Sequence, residues 1–406
     1  MRNSNLSWVE ANSYLRMQER VEVAFFHIDG DRLGGGSKML LKLLKGIDTQ
    51  QFAPRLILQQ KGRVYDEARE LDLNVDIVPY KGILDSYDGS LLSKSFHAHI
   101  RTAGRILQYN TSTHSIVRQA DVIWCANLRV VLTLLPSILI SSRPVIWNVG
   151  LGLRPEGVVK HLKTVALRFV DHVFIESEAQ LSRVFTDVQI ERHRNKFATF
   201  HKGIDINHFD PNRFEESTSE EFHVGTAALI NPRKGLEDFI DAAALVLNER
   251  SDVRFTIAGE PARENDLEYK AELERRIAEH GIENHLEFLG WVEDMPAYLH
   301  TLDVFVLPSL NEGIPGAIRE ALAMEVPVVA TDVGGTSEVV RDGETGFLVE
   351  PENPDSIAEA IGDLLANLDT RVEMGTRGRK LIKSEFSIET YVANYESFLI
   401  EITKPQ

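Results

Sequence analysis

Cysteine is nearly absent: Cys125 is the single one in 406 residues. No intrachain disulfide can form, and a reducing compartment is the simplest reading. Long apolar runs are missing as well. The longest, residues 130–140, is interrupted by Pro136 and followed by Arg143. A bilayer span takes about 20 apolar residues, so this stretch is expected in the core. The first 20 residues hold Trp8, Glu10, Arg16 and Glu19 and no apolar stretch, so no signal peptide is expected. These absences point to a soluble or peripheral cytoplasmic protein. Basic charge is also in deficit, with 44 Lys and Arg against 61 Asp and Glu and a net charge of −17. With so acidic a balance and no basic-aromatic stripe, nucleic acid is excluded as a partner. The excess acid lies wholly after residue 210, and the residues before it are slightly basic. Two readings of that asymmetry stand: chance surface composition, or an N-terminal half facing anionic lipid or an anionic acceptor.

Short apolar runs, turns and amphipathic stretches alternate along the chain. Strands are expected at 21–27, 55–59, 74–79, 121–124, 144–147 and 172–176, with a helix at 37–45 and others between them. A second series follows at 222–229, 253–258, 285–289, 303–307, 327–330 and 346–349, separated by helices such as 236–248, 265–280 and 316–324. Such alternation predicts parallel sheets covered by helices on both faces. Between the two series, Pro211 and an acidic, Ser/Thr-bearing run read as a linker. The expected fold is therefore α/β, with two Rossmann-like domains facing an interdomain cleft. The expected boundaries are 1–205 for the first domain, 206–221 for the linker, 222–386 for the second, and 387–406 for a final helix that closes the second domain or crosses back to the first.

In open α/β sheets ligands bind beyond the carboxyl ends of the strands, and four segments stand there. Gly34-Gly35-Gly36 follows the first strand and opens a helix, which suits close approach of a phosphate or sugar, or simply a flexible turn. It is not G-x-G-x-x-G, because the sixth position is Met39. Asn231-Pro232-Arg233-Lys234-Gly235 puts two cations near a helix N-terminus, where the dipole is already positive. An anion such as a diphosphate would resolve the conflict, although two solvated surface cations would also fit. Ser309-Leu310-Asn311-Glu312-Gly313-Ile314-Pro315-Gly316 leads into a helix that carries Glu320, with Pro315 expected at its first position. Free N–H groups near Gly313 and Gly316 can meet phosphate or hydroxyl oxygens, and carboxylates suit sugar hydroxyls. Taken singly, Glu312 reads as a solvated loop acid and Glu320 as an exposed helix residue. Thr331-Asp332-Val333-Gly334-Gly335-Thr336-Ser337-Glu338 reads as a further glycine-rich helix start, with Thr336 or Ser337 as N-cap.

The stretch from Asn311 to Ala323, with its E-x7-E spacing from Glu312 to Glu320, resembles family 4 of the retaining glycosyltransferases, which have the GT-B fold. So do Pro327 to Glu338 and Asp342 to Val349. His201-Lys202-Gly203-Ile204-Asp205 looks like the family's approach to its interdomain linker, and Leu289-Gly290-Trp291-Val292 like its base-reading strand end. The likeness covers nearly the whole chain, tightly after residue 200 and loosely before. It implies a UDP- or GDP-sugar co-substrate, no other cofactor and no metal. Glu312 and the backbone of Gly313, Ile314, Pro315 and Gly316 would hold the donor sugar, Glu320 the ribose, Lys234 with Arg233 the diphosphate, and Trp291 and Val292 the base. Gly35 and Gly36 would lie near the leaving phosphate or acceptor, and the leaving diphosphate would take the acceptor's proton. The acceptor would be a sugar, a lipid-linked species or a small molecule, in polysaccharide, glycolipid or glycoconjugate synthesis.

Two departures stand out. Leu229 occupies the position where the family usually has Arg, five before Lys234, and Arg233 is the candidate replacement. Trp147-Asn148 occupies the region of the family's acceptor-site His, for which His161 and Asn127 are the substitutes on offer. A non-catalytic nucleotide-sugar binder of the same fold is therefore the second reading. A glycoside hydrolase using Glu312 and Glu320 and a dehydrogenase are set aside. Residues 93–119, rich in Lys, His and Arg among apolar positions, are either a basic amphipathic helix on anionic membrane or an ordinary surface helix.

Overall fold

The computed structural model describes residues 20–27, 35–79, 96–150, 154–215 and 221–404. The chain divides into two units. Unit 1 comprises 1–176, 181–200 and 392–406, and unit 2 comprises 177–180 and 201–391.

Unit 1 is built on a seven-stranded parallel sheet: β1 (Val21–His27), β2 (Phe52–Leu58), β3 (Val75–Ile77), β4 (Val122–Cys125), β5 (Val145–Asn148), β6 (His172–Ile175) and β7 (Phe197–Thr199), in the order β3-β2-β1-β4-β5-β6-β7. Unit 2 has six parallel strands: β8 (Phe222–Ala227), β9 (Val253–Ala258), β10 (Leu286–Gly290), β11 (Val304–Leu307), β12 (Val328–Thr331) and β13 (Gly346–Val349), in the order β10-β9-β8-β11-β12-β13. Both are doubly wound. The strand order reverses at the centre, between β1 and β4 and between β8 and β11.

The central strands are apolar along their whole length because both faces are covered. On β11, Val304 and Val306 enter the cluster beneath helices Leu236–Glu249 and Pro354–Ala366, while Phe305 and Leu307 enter the cluster holding Ile318, Ala321 and Leu322 of helix Gly316–Ala323. Side chains alternate across a strand, so four consecutive apolar residues feed two cores.

The segment 130–140 lies in helix Leu128–Ile140, whose Val130, Val131, Leu134 and Ile138 are buried, while Leu139 and Ile140 are exposed. Pro136 disturbs this helix from within. Ser137 N and Thr133 O, partners in an unbroken helix, both turn to the buried side chain of Asn110. Its Oδ1 accepts from Ser137 N at 3.0 Å and its Nδ2 donates to Thr133 O at 2.8 Å. One side chain thus serves both backbone groups beside the proline. No helix among the described residues is long and apolar enough to cross a membrane.

The linker expected at 206–221 is not where the chain passes between units. The passage falls between Phe200 and His201, and the residues after it are packed into unit 2. Ile204 N donates to Phe386 O at 2.7 Å and Ile204 O accepts from Ile388 N at 3.0 Å. Phe209 is buried, and buried Arg379 donates to the Phe209 carbonyl and to Asp210 Oδ1, each at 2.8 Å. The core of the acidic run, 216–220, lies outside the described residues. At the other end, helix Ile388–Thr403 begins in unit 2 and passes to unit 1 at Val392, where Asp48 N donates to Glu396 Oε1 at 2.6 Å.

Candidate functional site

At the centre of the unit 2 sheet, β8 runs out toward the β9 side and β11 toward the β12 side. In a doubly wound sheet the strand ends at such a switch point are where ligands bind. After β8 the chain makes a 3-10 turn at Pro232–Lys234, closed by Gly235 in the left-handed region at φ 57°. That glycine is required twice over, since its conformation is costly for other residues and a Cβ there would run into the Pro308 carbonyl oxygen. After β11 the chain carries Pro308 to Pro315. The two loops are tied by Leu310 N donating to Arg233 O at 2.9 Å.

This brings Lys234 and Glu312 together. Lys234 Nζ lies 2.6 Å from Glu312 Oε1, and both side chains are largely buried. Ser309 Oγ donates to the same carboxylate oxygen at 2.8 Å. A third loop locks the second. Gly335 N donates to Gly313 O at 2.8 Å. Gly334, at φ 59°, passes so close to the Glu312 carbonyl that a Cβ would overlap it. Helix Gly316–Ala323 begins beside this cluster with no side-chain cap, leaving its first N–H groups for a ligand or water. Glu320 is half-buried on that helix.

The expected conflict between two cations and a helix dipole is mostly met by the protein itself. The helix Leu236–Glu249 has Glu237 and Asp238 in its first turn, and Lys234 is paired with Glu312. Arg233 remains an exposed cation with no ion pair among the described residues. Leu229, at 46% exposure, offers no charge.

Other expectations need correction. Pro315 stands just before the helix, not at its first position, because its ψ of 121° is extended. The Gly334-Gly335 segment leads only into a 3-10 turn, Thr336–Glu338. There the Thr336 hydroxyl donates back to Val333 O at 2.8 Å instead of capping a helix.

Trp291 is 68% exposed after Gly290, whose φ is 68° and whose carbonyl accepts from Gly259 N at 2.7 Å. Val292 and Ile314 pack against the same apolar cluster, so the β10 and β11 loops share one support.

In unit 1, Gly35 and Gly36 open helix Gly35–Gly46 and are exposed, and Gly34 lies outside the described residues. Just beyond them, Ser37 Oγ is 3.0 Å from His27 Nε2 at the end of β1. Trp147 is a core residue, edge-on to Phe185, and cannot replace a ligand-facing His. Asn127 is the N-cap of helix Leu128–Ile140, its side chain accepting from Val130 N at 3.1 Å. His161 is exposed on helix Gly157–Phe169.

Glu338 is a polar anchor that carried no role in the sequence. Its carboxylate accepts from Glu178 N, Ala179 N and His201 Nε2, each at 3.1 Å. Burial pushes this carboxyl up, but these hydrogen bonds outweigh it and hold the group below the usual glutamate range. It fixes residues 177–180 within unit 2, although their chain neighbours belong to unit 1.

Residues 221–367 match the family model described as Glycosyl transferases group 1. The chain is 26% identical over 281 residues to a capsular polysaccharide biosynthesis glycosyltransferase, CapM of Staphylococcus aureus, covering 64% of this chain and 73% of that one. It is 32% identical over 183 residues to a D-inositol 3-phosphate glycosyltransferase of Paenarthrobacter aurescens, covering 43% and 44%. The chain thus spans under half of that second relative. Among solved structures, Anabaena HepE in complex with UDP superposes with a TM-score of 0.73 at 20% identity, covering 94% of this chain and all of that one. At that identity the likeness speaks for the fold, which is the two-domain GT-B arrangement of parallel sheets.

Proposed function

We propose that this chain, whose residues 221–367 match the glycosyl transferases group 1 model, is a glycosyltransferase that takes a sugar from a nucleoside-diphosphate donor bound in unit 2 and passes it, with retention, to a hydroxyl acceptor. One observation carries the reading. Lys234 and Glu312, 78 residues apart in sequence, meet at the switch point of the unit 2 sheet beside an uncapped helix N-terminus. A cation and oriented N–H groups suit a diphosphate, and a carboxylate suits the hydroxyls of a sugar.

In this reading Lys234, Arg233 and the amides from Gly313 to Gly316 receive the diphosphate, Glu312 holds the transferred sugar, and Glu320 holds the ribose. Trp291 and Val292 border the base, which is uracil or guanine. Gly35 and Gly36 serve the leaving phosphate or acceptor from unit 1. No dedicated base is assigned. The leaving diphosphate takes the acceptor proton, and no metal enters the step. The name of the first relative supports polysaccharide synthesis and that of the second a small-molecule acceptor; a sugar or lipid-linked acceptor, and glycolipid synthesis, belong to the same proposal. Helix Phe96–Gln119 supports a peripheral contact with anionic membrane: Arg101, Arg105 and Arg118 share its exposed surface with Ile100 and Leu107. The start of the amphipathic stretch, 93–95, and the side chains of 96–99 lie outside the described residues.

The exposed Leu229 favours one alternative, a binder of nucleotide sugars that transfers slowly or not at all. Titration with UDP, GDP and their sugars, followed by product analysis, separates the two. Turnover with the donor's anomeric configuration kept, read by NMR, is the expected result. Binding without transfer or hydrolysis selects the alternative, and an inverted product rejects the mechanism.

A further inference from the structure

Ser309 is wholly buried at the end of β11, and its position is fixed from two sides. Its carbonyl accepts from Thr331 Oγ1, at the end of β12, at 2.5 Å. Its hydroxyl lies 2.8 Å from Glu312 Oε1. An ionised carboxylate only accepts, so the serine donates. The same Oε1 receives Lys234 Nζ at 2.6 Å. Oε2 has no protein donor among the described residues. The last torsion of a glutamate is broad and nearly two-fold, so a carboxylate without such ties would offer either oxygen.

We propose that Ser309 is a positioning residue: together with Lys234 it pins Oε1 of Glu312 and presents Oε2 alone to one hydroxyl of the donor sugar. The inference rests on the reading of Glu312 as the donor-sugar residue. Its force lies in what happens when a donor arrives. The diphosphate draws on Lys234, and the serine, neutral and fixed by β12, still holds Oε1. Glu312 therefore keeps its orientation while its cation changes partner. A site arranged this way recognises one hydroxyl position sharply instead of gripping two neighbouring hydroxyls with both oxygens.

The test uses the full chain and Ser309→Ala, which removes one oxygen and adds no bulk. UDP and GDP are titrated first, and then the sugar donors of whichever nucleotide binds. Nucleotide affinity is expected to stay within about twofold of wild type, which also reports an intact fold. kcat/KM for the sugar donor is expected to fall about 10- to 100-fold, the size of one hydrogen bond to a charged group. With donors deoxygenated at each ring position in turn, the defect should vanish for one position only, since that donor has already lost the hydroxyl that Oε2 receives. An alanine variant equal to wild type on every donor, or equally impaired on all deoxy donors, overturns the role of Ser309 and leaves the donor site standing. A wild-type chain that binds neither nucleotide nor sugar donor brings down the parent reading and this one with it.

Discussion

Replacing Lys234 by methionine keeps much of the side chain's volume and strands the Glu312 carboxylate, which is 8% exposed, with Ser309 as its one remaining donor among the described residues. At the observed 2.6 Å, two unit charges in a medium of effective dielectric near 20 attract by about 6 kcal/mol gross. Desolvation of both groups takes back much of this, and losing one partner of a buried pair costs about 3–5 kcal/mol. Because the pair ties the loops after β8 and β11, the cost should appear in unit 2 and not in unit 1. Hydrogen exchange of peptides covering β8 and β11 is the appropriate readout, with unit 1 peptides as internal control. Protection in those strands should drop by about two to four orders of magnitude. Lys234→Met combined with Glu312→Leu should recover most of the loss, because removing both charges leaves neither stranded. If the single variant exchanges like wild type, the pair is a contact without energetic weight, and the case for a preassembled cationic site falls with it.

Asn110→Ala should destabilise unit 1 by about 3 kcal/mol, since it strips bonds from Ser137 N and Thr133 O beside Pro136 at about 1–3 kcal/mol each. A change below about 1 kcal/mol in urea unfolding would mean the helix closes its own ladder despite the proline. His223 supplies a pH dependence. Burial holds its imidazole down at about 4, with Arg254 adding to the effect. Its neutral ring lies 2.8 Å from Thr256 Oγ1. An unfolded histidine titrates near 6.5, so between about 6.5 and about 4 the unfolded chain binds the extra proton. Stability from this group is thus full above pH 6.5 and is lost as pH falls through that window, by up to about 3 kcal/mol. His223→Gln should flatten the wild-type slope there, and an unchanged slope would refute the assignment.

The two sheets were legible because strands buried on both faces leave apolar runs that no helix period explains, as in Val304–Leu307 and Val328–Thr331. The loops bearing Lys234 and Glu312 were legible too, because glycine and proline punctuate them at the ends of those runs. What lay beyond reach was pairing between distant segments. The passage between units at Phe200–His201 carries no breaker: Phe200 packs against Phe174 and Tyr395 as a core residue would. The acidic run after Pro211 gave a compositional signal instead, and the bonds of Ile204 to Phe386 and Ile388 overrode it. Strand β7, at three residues and half-buried, is too short for a period to register. Ser309 and Glu338 show the same limit at the level of side chains. A serine or glutamate in a loop has many partners open to it, and only the packing of β11 against β12, or of residues 177–180 against the Thr336–Glu338 turn, selects one.

The loops that carry Lys234 and Glu312 are tied to their neighbours, and that bears on how a ligand would bind. Its loops are held by backbone contacts that only glycine permits, at Gly235 against Pro308 and at Gly334 against Glu312. Little loop ordering is then left to be done when a ligand enters. The electrostatics carry the opposite cost. With Lys234 paired to Glu312, a diphosphate bound as proposed would find that lysine already engaged. It would exchange into an existing ion pair. A sugar that engages Glu312 at the same moment gives that carboxylate a new partner and lowers the cost of the exchange, whereas a bare nucleoside diphosphate cannot. Lys234 and Glu312 would therefore act as one unit that answers to both halves of a nucleotide sugar together, so selectivity for the intact donor over its own product can arise from a contact present before either binds.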